Sequence, residues 1–148
     1  MNYPIVELIR QNIVDTLNGV TKDSGYRVDI IGEASMEDGD SNRPRQGLAV
    51  VSQGEPEALD ASIGHDAWDQ PFSITIIALT SETAGTANEE TINEYIAAAI
   101  KVLKNDRTRG GYAVDTRFNP PRIHDNRQGV DLVIRIHYRT LIDDPFNQ

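Results

Sequence analysis

The feature that most limits the fold of this chain is an alternation near its carboxyl end, over residues 130–138. Every second side chain in this segment is large and apolar: Val130, Leu132, Ile134, Ile136 and Tyr138. A period of two predicts a β-strand that buries one face and exposes the other. Because a single strand cannot bury its own apolar face, the chain must supply further strands and a second layer to cover them.

Two segments have the helical period that such a covering layer requires. A first helix, ending near Gly19, is predicted by apolar residues three or four positions apart: Ile5, Leu8, Ile9, Ile13, Leu17 and Val20. A second helix is predicted after TANE, residues 86–89, which has the capping-box pattern that satisfies free backbone donors at a helix start. Its inward positions are Ile92, Tyr95, Ile96, Ala99 and Leu103.

Shorter stretches between these elements have the composition of strands or of loops. Strand character is found at residues 26–31, 47–52, 71–79 and 112–116. Residues 33–46 and 54–70 lack a period and are rich in polar residues, so we interpret them as two long loops. The chain is therefore predicted to be a single α+β domain, residues 1–148, with a mainly antiparallel β-sheet and two α-helices packed on one face.

The charge of the chain narrows the class of its partners. Its net charge is −9 at pH 7, which disfavours a protein that binds nucleic acid through a basic face. Residues 1–100 carry 17 acidic and 5 basic side chains, whereas residues 101–148 carry 6 acidic and 9 basic ones. Such asymmetry allows one surface of a subunit to attract a different surface of its neighbour. An ordinary acidic domain is the simpler interpretation.

Other features of the composition exclude several classes of protein. Cysteine is absent, so neither a disulfide nor a cysteine-rich zinc site is expected. No apolar run approaches the roughly 20 residues of a membrane span. The first residues also lack the pattern of a secretory signal, so we expect synthesis in the cytoplasm.

Histidine and aspartate residues are the best candidates for catalytic chemistry. The segment GHDAWDQP contains His65, Asp66 and Asp69, and His124 lies in a later turn-rich segment. Imidazole and carboxylate groups suit several divalent ions, so a small metal-dependent hydrolase that uses these four residues is one alternative. None of them has the spacing of a known catalytic motif. We therefore predict that the protein is not an enzyme, and expect no catalytic residue, no cofactor-binding residue and no metal ligand.

Two stretches of the sequence together resemble a known family. The first, NDRTRGGYAVDTR, spans residues 105–117 and follows the second helix. The second, YRTLIDDPF, spans residues 138–146 and closes the long strand. The order of the preceding segments is similar over nearly the whole chain. On these stretches the chain resembles the tail terminator, or tail completion, family of minor tail proteins of long-tailed bacteriophages.

The resemblance implies a structural protein of the virion that forms a homohexameric ring on the completed tail tube. Such a ring terminates tube polymerisation and offers the surface for joining the DNA-filled head, so the implied location is the tail and neck region. The implied partners are further copies of the chain, the tail tube protein and a head-side connector. DNA is expected to pass through the lumen without specific binding, and an acidic lumen would repel its phosphates. A head-closure or neck adaptor ring is the alternative within the same class.

Seven residues are candidates for a subunit or docking interface: Trp68, Arg107, Arg109, Arg139, Asp143, Asp144 and Phe146. We interpret Trp68 either as an exposed anchor, because tryptophan is enriched at interface hot spots, or as a plug from a loop into the core. Arg139 is expected at the exit of the long strand. Residues 143–146 are expected to form a stiffened docking segment, and a frayed chain end is the alternative.

The two arginines of the first resembling stretch have two interpretations. Arg107 and Arg109 could form bidentate pairs with the acidic residues 143 and 144 of a neighbouring subunit, because guanidinium matches carboxylate geometry. Alternatively, both arginines cap the preceding helix within their own chain and lie in water, where ion pairs contribute little. We favour the second interpretation for Arg107 and an interface role for Arg109.

Overall fold

The computed structural model describes residues 3–33, 47–60, 63–78, 89–125 and 128–148. Within these ranges the chain forms two α-helices, seven β-strands and one short 3-10 helix. The α-helices are α1 (Ile5–Asn18) and α2 (Glu89–Lys104). The strands are β1 (Ile31–Glu33), β2 (Leu48–Gln53), β3 (Glu57–Leu59), β4 (His65–Ile77), β5 (Asp115–Phe118), β6 (Arg122–Ile123) and β7 (Gly129–Leu141).

All seven strands belong to one sheet that is built around β4 and β7. These two strands pair antiparallel over their whole length, from His65 opposite Leu141 to Ile77 opposite Gly129. The main path through the sheet is β1-β2-β4-β7-β5, with β3 paired to β4 and β6 paired to β7. Only the pairing of β1 with β2 is parallel among the described strands. The predicted α+β class with a mainly antiparallel sheet is confirmed.

One face of the sheet is buried beneath the two helices. The alternating residues of β4 and β7 that are fully or almost fully buried are Phe72, Ile74, Ile76, Val130, Leu132, Ile134 and Ile136. They form one cluster with the buried residues of α1 (Ile5, Ile9, Ile13 and Leu17) and of α2 (Ile92, Tyr95, Ala98, Ala99 and Leu103). Burying each large apolar side chain stabilises the fold by roughly 1.5–3 kcal/mol, so this layer is the main stabilising contact.

The opposite face of the sheet has no described helix packed on it, and we call it the helix-free face. Its residues on β4 and β7 alternate with the core residues and are mostly polar and partly exposed, as at Thr75, Asp131 and Arg135. The long strand predicted at residues 130–138 is confirmed, and it is longer at both ends. Polar residues on one face and apolar residues on the other therefore give the sheet its orientation.

Residues 54–70, which were predicted to form a long loop, do not form one. They contain β3 and the first six residues of β4, and these strands pair with each other and with β7. The local sequence is polar on both faces, since Asp66 and Asp69 both lie in it. Such a strand has no alternation of apolar residues in its sequence. It forms because a long partner strand makes hydrogen bonds to its backbone N–H and C=O groups.

Smaller differences concern where strands begin and end. The strand predicted at residues 26–31 is wrong except at Ile31, because the backbone N–H of Ile30 donates to the carbonyl of Val20 instead of to a strand. The strand predicted at residues 112–116 begins only at Asp115. Within the other predicted loop, residues 34–46 lie outside the described residues, as do Leu79 and the first three residues of the predicted capping box.

Candidate functional site

Arg109 is the most deeply buried of the seven interface candidates. Its exposed fraction is 0% and its backbone φ is 50°, a left-handed conformation that few non-glycine residues adopt. Its guanidinium donates hydrogen bonds to the carbonyl oxygens of Leu103 and Asp106, at the end of α2. Burial lowers the pKa of Arg109 despite the nearby carboxylate of Asp106. The side chain of Arg109 thus caps a helix inside its own chain, and it has no exposed surface in the single subunit for the predicted interface role.

The turn that holds Arg109 is organised by Asp106. The carboxylate of this residue accepts hydrogen bonds from the backbone N–H of Gly110 at 2.6 Å and from Thr108 at 3.2 Å. Gly110 and Gly111 follow with φ values of 70° and 91°, which residues with a Cβ rarely adopt. The RTRGG segment is thus a rigid helix-ending turn of the subunit.

Arg107 lies at the surface, as we favoured, but it has a partner within its own chain. Its Nε donates to Oδ1 of Asp115 at 2.9 Å, at the start of β5. This hydrogen bond lowers the pKa of Asp115 and raises the pKa of Arg107. The backbone carbonyl of Arg107 also accepts a hydrogen bond from the hydroxyl of Thr116 at 2.7 Å. Arg107 therefore fixes the turn to β5.

Trp68 lies on β4, and it is neither a loop residue nor a fully exposed anchor. It is directly opposite Tyr138 in the ladder between β4 and β7, and the next pair on the same face is Asp66 with Thr140. Trp68 is partly buried against the core cluster. These two pairs extend the helix-bearing face of the sheet beyond the end of the core, where the chain's last residues fold over it.

The last residues are held in a turn, so the interpretation as a frayed end is wrong. β7 continues to Leu141, which places Arg139 within the strand instead of at its exit. The backbone N–H of Leu141 then donates to the carbonyl of Asn147 at 2.8 Å, and the N–H of Ile5 donates to the carbonyl of Pro145 at 2.9 Å. Phe146 remains 44% exposed.

The two acidic residues of this turn differ in what they contact. Asp144 accepts hydrogen bonds through both carboxylate oxygens, from the N–H of Phe146 at 3.1 Å and from the side chain of Asn147 at 2.8 Å. Asp143 has a φ of 59° and uses its backbone N–H to contact the carboxylate of Asp66 at 3.4 Å. No described basic residue forms an ion pair with either aspartate.

Together these elements form a concave pocket of about 380 Å³, which we call the acidic–aromatic pocket. Its apolar surface comes from Pro56, Trp68, Tyr138 and Pro145. Its polar surface comes from Asp66, Thr140, Asp143 and Asp144. Aromatic rings and carboxylates both attract cations, so the chemistry of the pocket suits a positively charged group. Three of the seven sequence candidates, Trp68, Asp143 and Asp144, meet here.

Sequence reasoning had no interface role for Asp66, Tyr138 and Thr140, although they line the same pocket. From the sequence, Asp66 is a candidate only for the alternative hydrolase site, and Tyr138 is predicted only as a core residue. The one available signal was the two-residue spacing of Asp66 and Trp68 before a strand, because such spacing places side chains on one face.

The helix-free face carries a separate group of charges. Arg135 donates from Nε to Oδ2 of Asp69 at 2.8 Å, and its Nη2 lies 3.7 Å from the carboxylate of Glu57. Arg117 lies directly opposite Arg135 on β5. Arg139, one of the sequence candidates, is exposed on this face opposite Ala67. Among the described residues, this face therefore presents three exposed arginines without an ion pair, Arg117, Arg122 and Arg139, beside Arg135, which is already paired.

The residues of the alternative hydrolase site are not brought together. His65 and Asp69 lie on the helix-free face, whereas Asp66 lies on the opposite face. His124 contacts Asp131 at 3.0 Å, next to Thr75, which is ten residues along β4 from His65 and therefore about 33 Å away. Among the described residues, no group of three or more His, Cys, Asp or Glu side chains could hold a metal ion.

Comparison of the sequence with models of known protein families and with curated proteins finds no match to either. None of the helices in the described ranges is long and apolar enough to cross a membrane. The function of the chain must therefore be argued from its own residues and from the resemblance carried by its two motif stretches.

Proposed function

We propose that this chain is a virion assembly protein of the tail terminator type. It assembles as a ring, with six subunits as the expected number, on the end of a completed phage tail tube. The ring stops further addition of the tail tube protein and offers the surface to which the head-side connector binds. DNA passes through its lumen without specific contacts, and the protein belongs to the tail and neck region of the virion.

The observation that carries this proposal is the position of the two stretches on which the resemblance rests. They are separated by 20 residues of sequence, yet β5 in the first stretch pairs with β7, which leads into the second. The backbone N–H of Val114 donates to the carbonyl of His137 at 2.7 Å, and the side chain of Gln148 donates to the carbonyl of Tyr112 at 2.6 Å. The two stretches thus form one end of the molecule.

The surfaces of the chain are consistent with assembly instead of catalysis. Among the described residues, an acidic pocket lies on one face of the sheet, and exposed arginines lie on the other face together with Asp69 and Asp131. A cyclic ring needs two different complementary surfaces on each subunit, because every contact is head-to-tail. A net charge of −9 also suits a ring through which DNA must slide.

The direct test is a tube-capping experiment with purified tail tube protein. Tubes are polymerised with and without the chain, and their lengths are measured by negative-stain electron microscopy. We expect growth to stop once about one ring is bound per tube end, with a ring-shaped density at that end. Light scattering gives the mass of the free chain in parallel. The variant Asp23→Asn, changed at an exposed residue that does not line the pocket, is the matched control and should cap as well as the wild type.

Tubes that grow to the same lengths with and without the chain would contradict the proposal. Binding of the chain to purified head connectors, without any effect on tube length, would instead favour the neck adaptor ring. Turnover of a phosphate or peptide ester substrate that depends on added divalent ion would instead favour the metal-dependent hydrolase.

A further inference from the structure

The described residues that line the acidic–aromatic pocket include three aspartates and no basic residue. The aspartates are Asp66, Asp143 and Asp144. None of the three forms an ion pair with a described residue. Carboxylates gathered in one concavity repel each other, so a cation that enters between them gains the attraction of all three. The pocket is thus an electrostatic site without its counter-charge.

The residues that line the pocket also indicate which kind of cation it would bind. Trp68 and Tyr138 are opposite each other in the β4–β7 ladder and both line the pocket; Trp68 is partly exposed, whereas Tyr138 is only 7% exposed. A guanidinium group stacks on aromatic faces and forms forked hydrogen bonds with carboxylates at the same time. A small hydrated metal ion would use only the carboxylates. A pocket with both aromatic rings and carboxylates therefore favours arginine over lysine and over a metal ion.

The chain itself presents arginines of the required kind on its other face. Arg117 and Arg139 are exposed, and neither forms an ion pair with a described residue. Arg117 lies opposite Arg135 across the β5–β7 pair, but Arg135 is already paired with Asp69, so among the described residues that pair leaves the guanidinium of Arg117 without an acid. Asp115 is near Arg117, but its carboxylate is already bonded to Arg107.

We propose that the acidic–aromatic pocket of one subunit receives an arginine, Arg117 or Arg139, from the helix-free face of a second copy of this chain. This inference deepens the proposed ring and rests on it. The pocket lies on the helix-bearing face of the sheet and the two arginines lie on the opposite face. One subunit therefore gives its arginines to one neighbour and its pocket to another, which is the head-to-tail contact that closes a ring.

The test uses two variants that each remove one of the two surfaces. The pocket variant is Asp66→Asn with Asp143→Asn, which removes two charges and keeps side-chain shape; asparagine also tolerates the left-handed backbone of Asp143. The face variant is Arg117→Glu with Arg139→Glu, at two exposed positions. Arg27→Gln, at an arginine whose side chain is 76% exposed and belongs to neither surface, is the matched control. Circular dichroism and thermal melting verify that every variant folds.

The expected result is a specific pattern of masses in analytical ultracentrifugation. The wild type and the control self-associate, whereas each surface variant alone has the mass of one chain, with self-association weakened by roughly 30-fold or more. A mixture of the two variants retains one intact pocket and one intact arginine face, so it forms a complex of two chains and nothing larger. Trp68 is the only tryptophan, so its fluorescence reports occupation of the pocket directly.

Three results would overturn the inference. A wild type that stays monomeric at all concentrations, a pocket variant that associates like the wild type, or a mixture that forms no two-chain complex would each exclude this contact. If a pocket variant caps tail tubes as well as the wild type, the proposed arginine contact is contradicted but the proposed function is not. If self-association depends on the pocket but the wild type does not cap tubes, the contact is supported and the proposed function is contradicted.

Discussion

Replacement of Arg109 by alanine separates a helix cap from an interface residue, because the two roles predict opposite results. Arg109 is fully buried, and its guanidinium donates to the carbonyls of Leu103 and Asp106 at the end of α2. As a cap, it stabilises the isolated subunit. As an interface residue, it would leave the subunit's stability unchanged and would act only on assembly.

The size of the expected loss follows from these contacts. A hydrogen bond from a charged donor contributes about 1.5–3 kcal/mol, and Arg109→Ala removes two of them and leaves two carbonyls without a partner. Part of this loss is offset, because the variant no longer buries a charge. We expect the free energy of unfolding to fall by about 2–4 kcal/mol. For a chain of this size that lowers Tm by roughly 5–15 °C.

The assay is urea denaturation followed by circular dichroism, at a concentration where the chain is monomeric. Arg107→Ala is the control in the same turn, because its exposed ion pair with Asp115 should have little effect on stability. Arg109→Gly should lose about 1 kcal/mol less than Arg109→Ala, since glycine adopts a φ of 50° without strain. Unchanged denaturation of Arg109→Ala, combined with lost self-association, would refute the capping argument.

Three further predictions concern the core, the half-buried hydrogen-bonded carboxylate of Asp131 and the chain end. Phe72→Ala, at a fully buried position of β4, should lower the free energy of unfolding by about 3–5 kcal/mol in urea denaturation, whereas Ser73→Ala on the other face should have little effect. Burial alone would raise the pKa of Asp131, but hydrogen bonds from His124 and Thr75 outweigh it and hold the pKa below its ordinary value of 3.8. Asp131 therefore contributes stability above pH 3.8 that is lost as the pH falls through its lowered pKa, so Asp131→Asn should be less stable than the wild type at pH 7, and the difference should shrink as the solution is acidified below pH 3.8; a difference that does not change with pH would contradict this. Truncation after Leu141 removes the carbonyl of Pro145 that accepts from Ile5, so hydrogen exchange at the start of α1 should accelerate, and unchanged exchange there would show that the last residues do not hold the helix.

The structure changes which charges are available for assembly. The sequence interpretation assigned Arg109 to a neighbour's acidic residues, whereas the fold uses Arg109 for a helix end and Arg107 for Asp115. Among the described residues, Arg117 and Arg139 are exposed and form no ion pair, as is also true of Arg122 on β6; Arg117 was not among the candidates. The acidic residues proposed for the contact are still Asp143 and Asp144, and Asp66 lines the same pocket. Charge complementarity between two surfaces survives this change, with different basic residues.

The sequence by itself determined the elements whose signal is local. The three- and four-residue spacing from Ile5 to Leu17 gives α1, and the spacing from Ile92 to Leu103 gives α2. The two-residue alternation of residues 130–138 gives the long strand and its buried face. Because these periods place apolar side chains on one side of an element, they also determine a sheet covered by two helices.

Only the tertiary structure decided the rest, because the deciding contacts join residues that are distant in sequence. Residues 65–70 are polar on both faces and become a strand only because β7 pairs with them. Arg107 and Arg109 are two positions apart in one turn, yet one is exposed and the other is buried, which depends on how the end of α2 packs. The acidic–aromatic pocket exists because pairing of β4 with β7 and the fold-back of the chain end bring Asp66, Trp68, Tyr138 and Asp143 together.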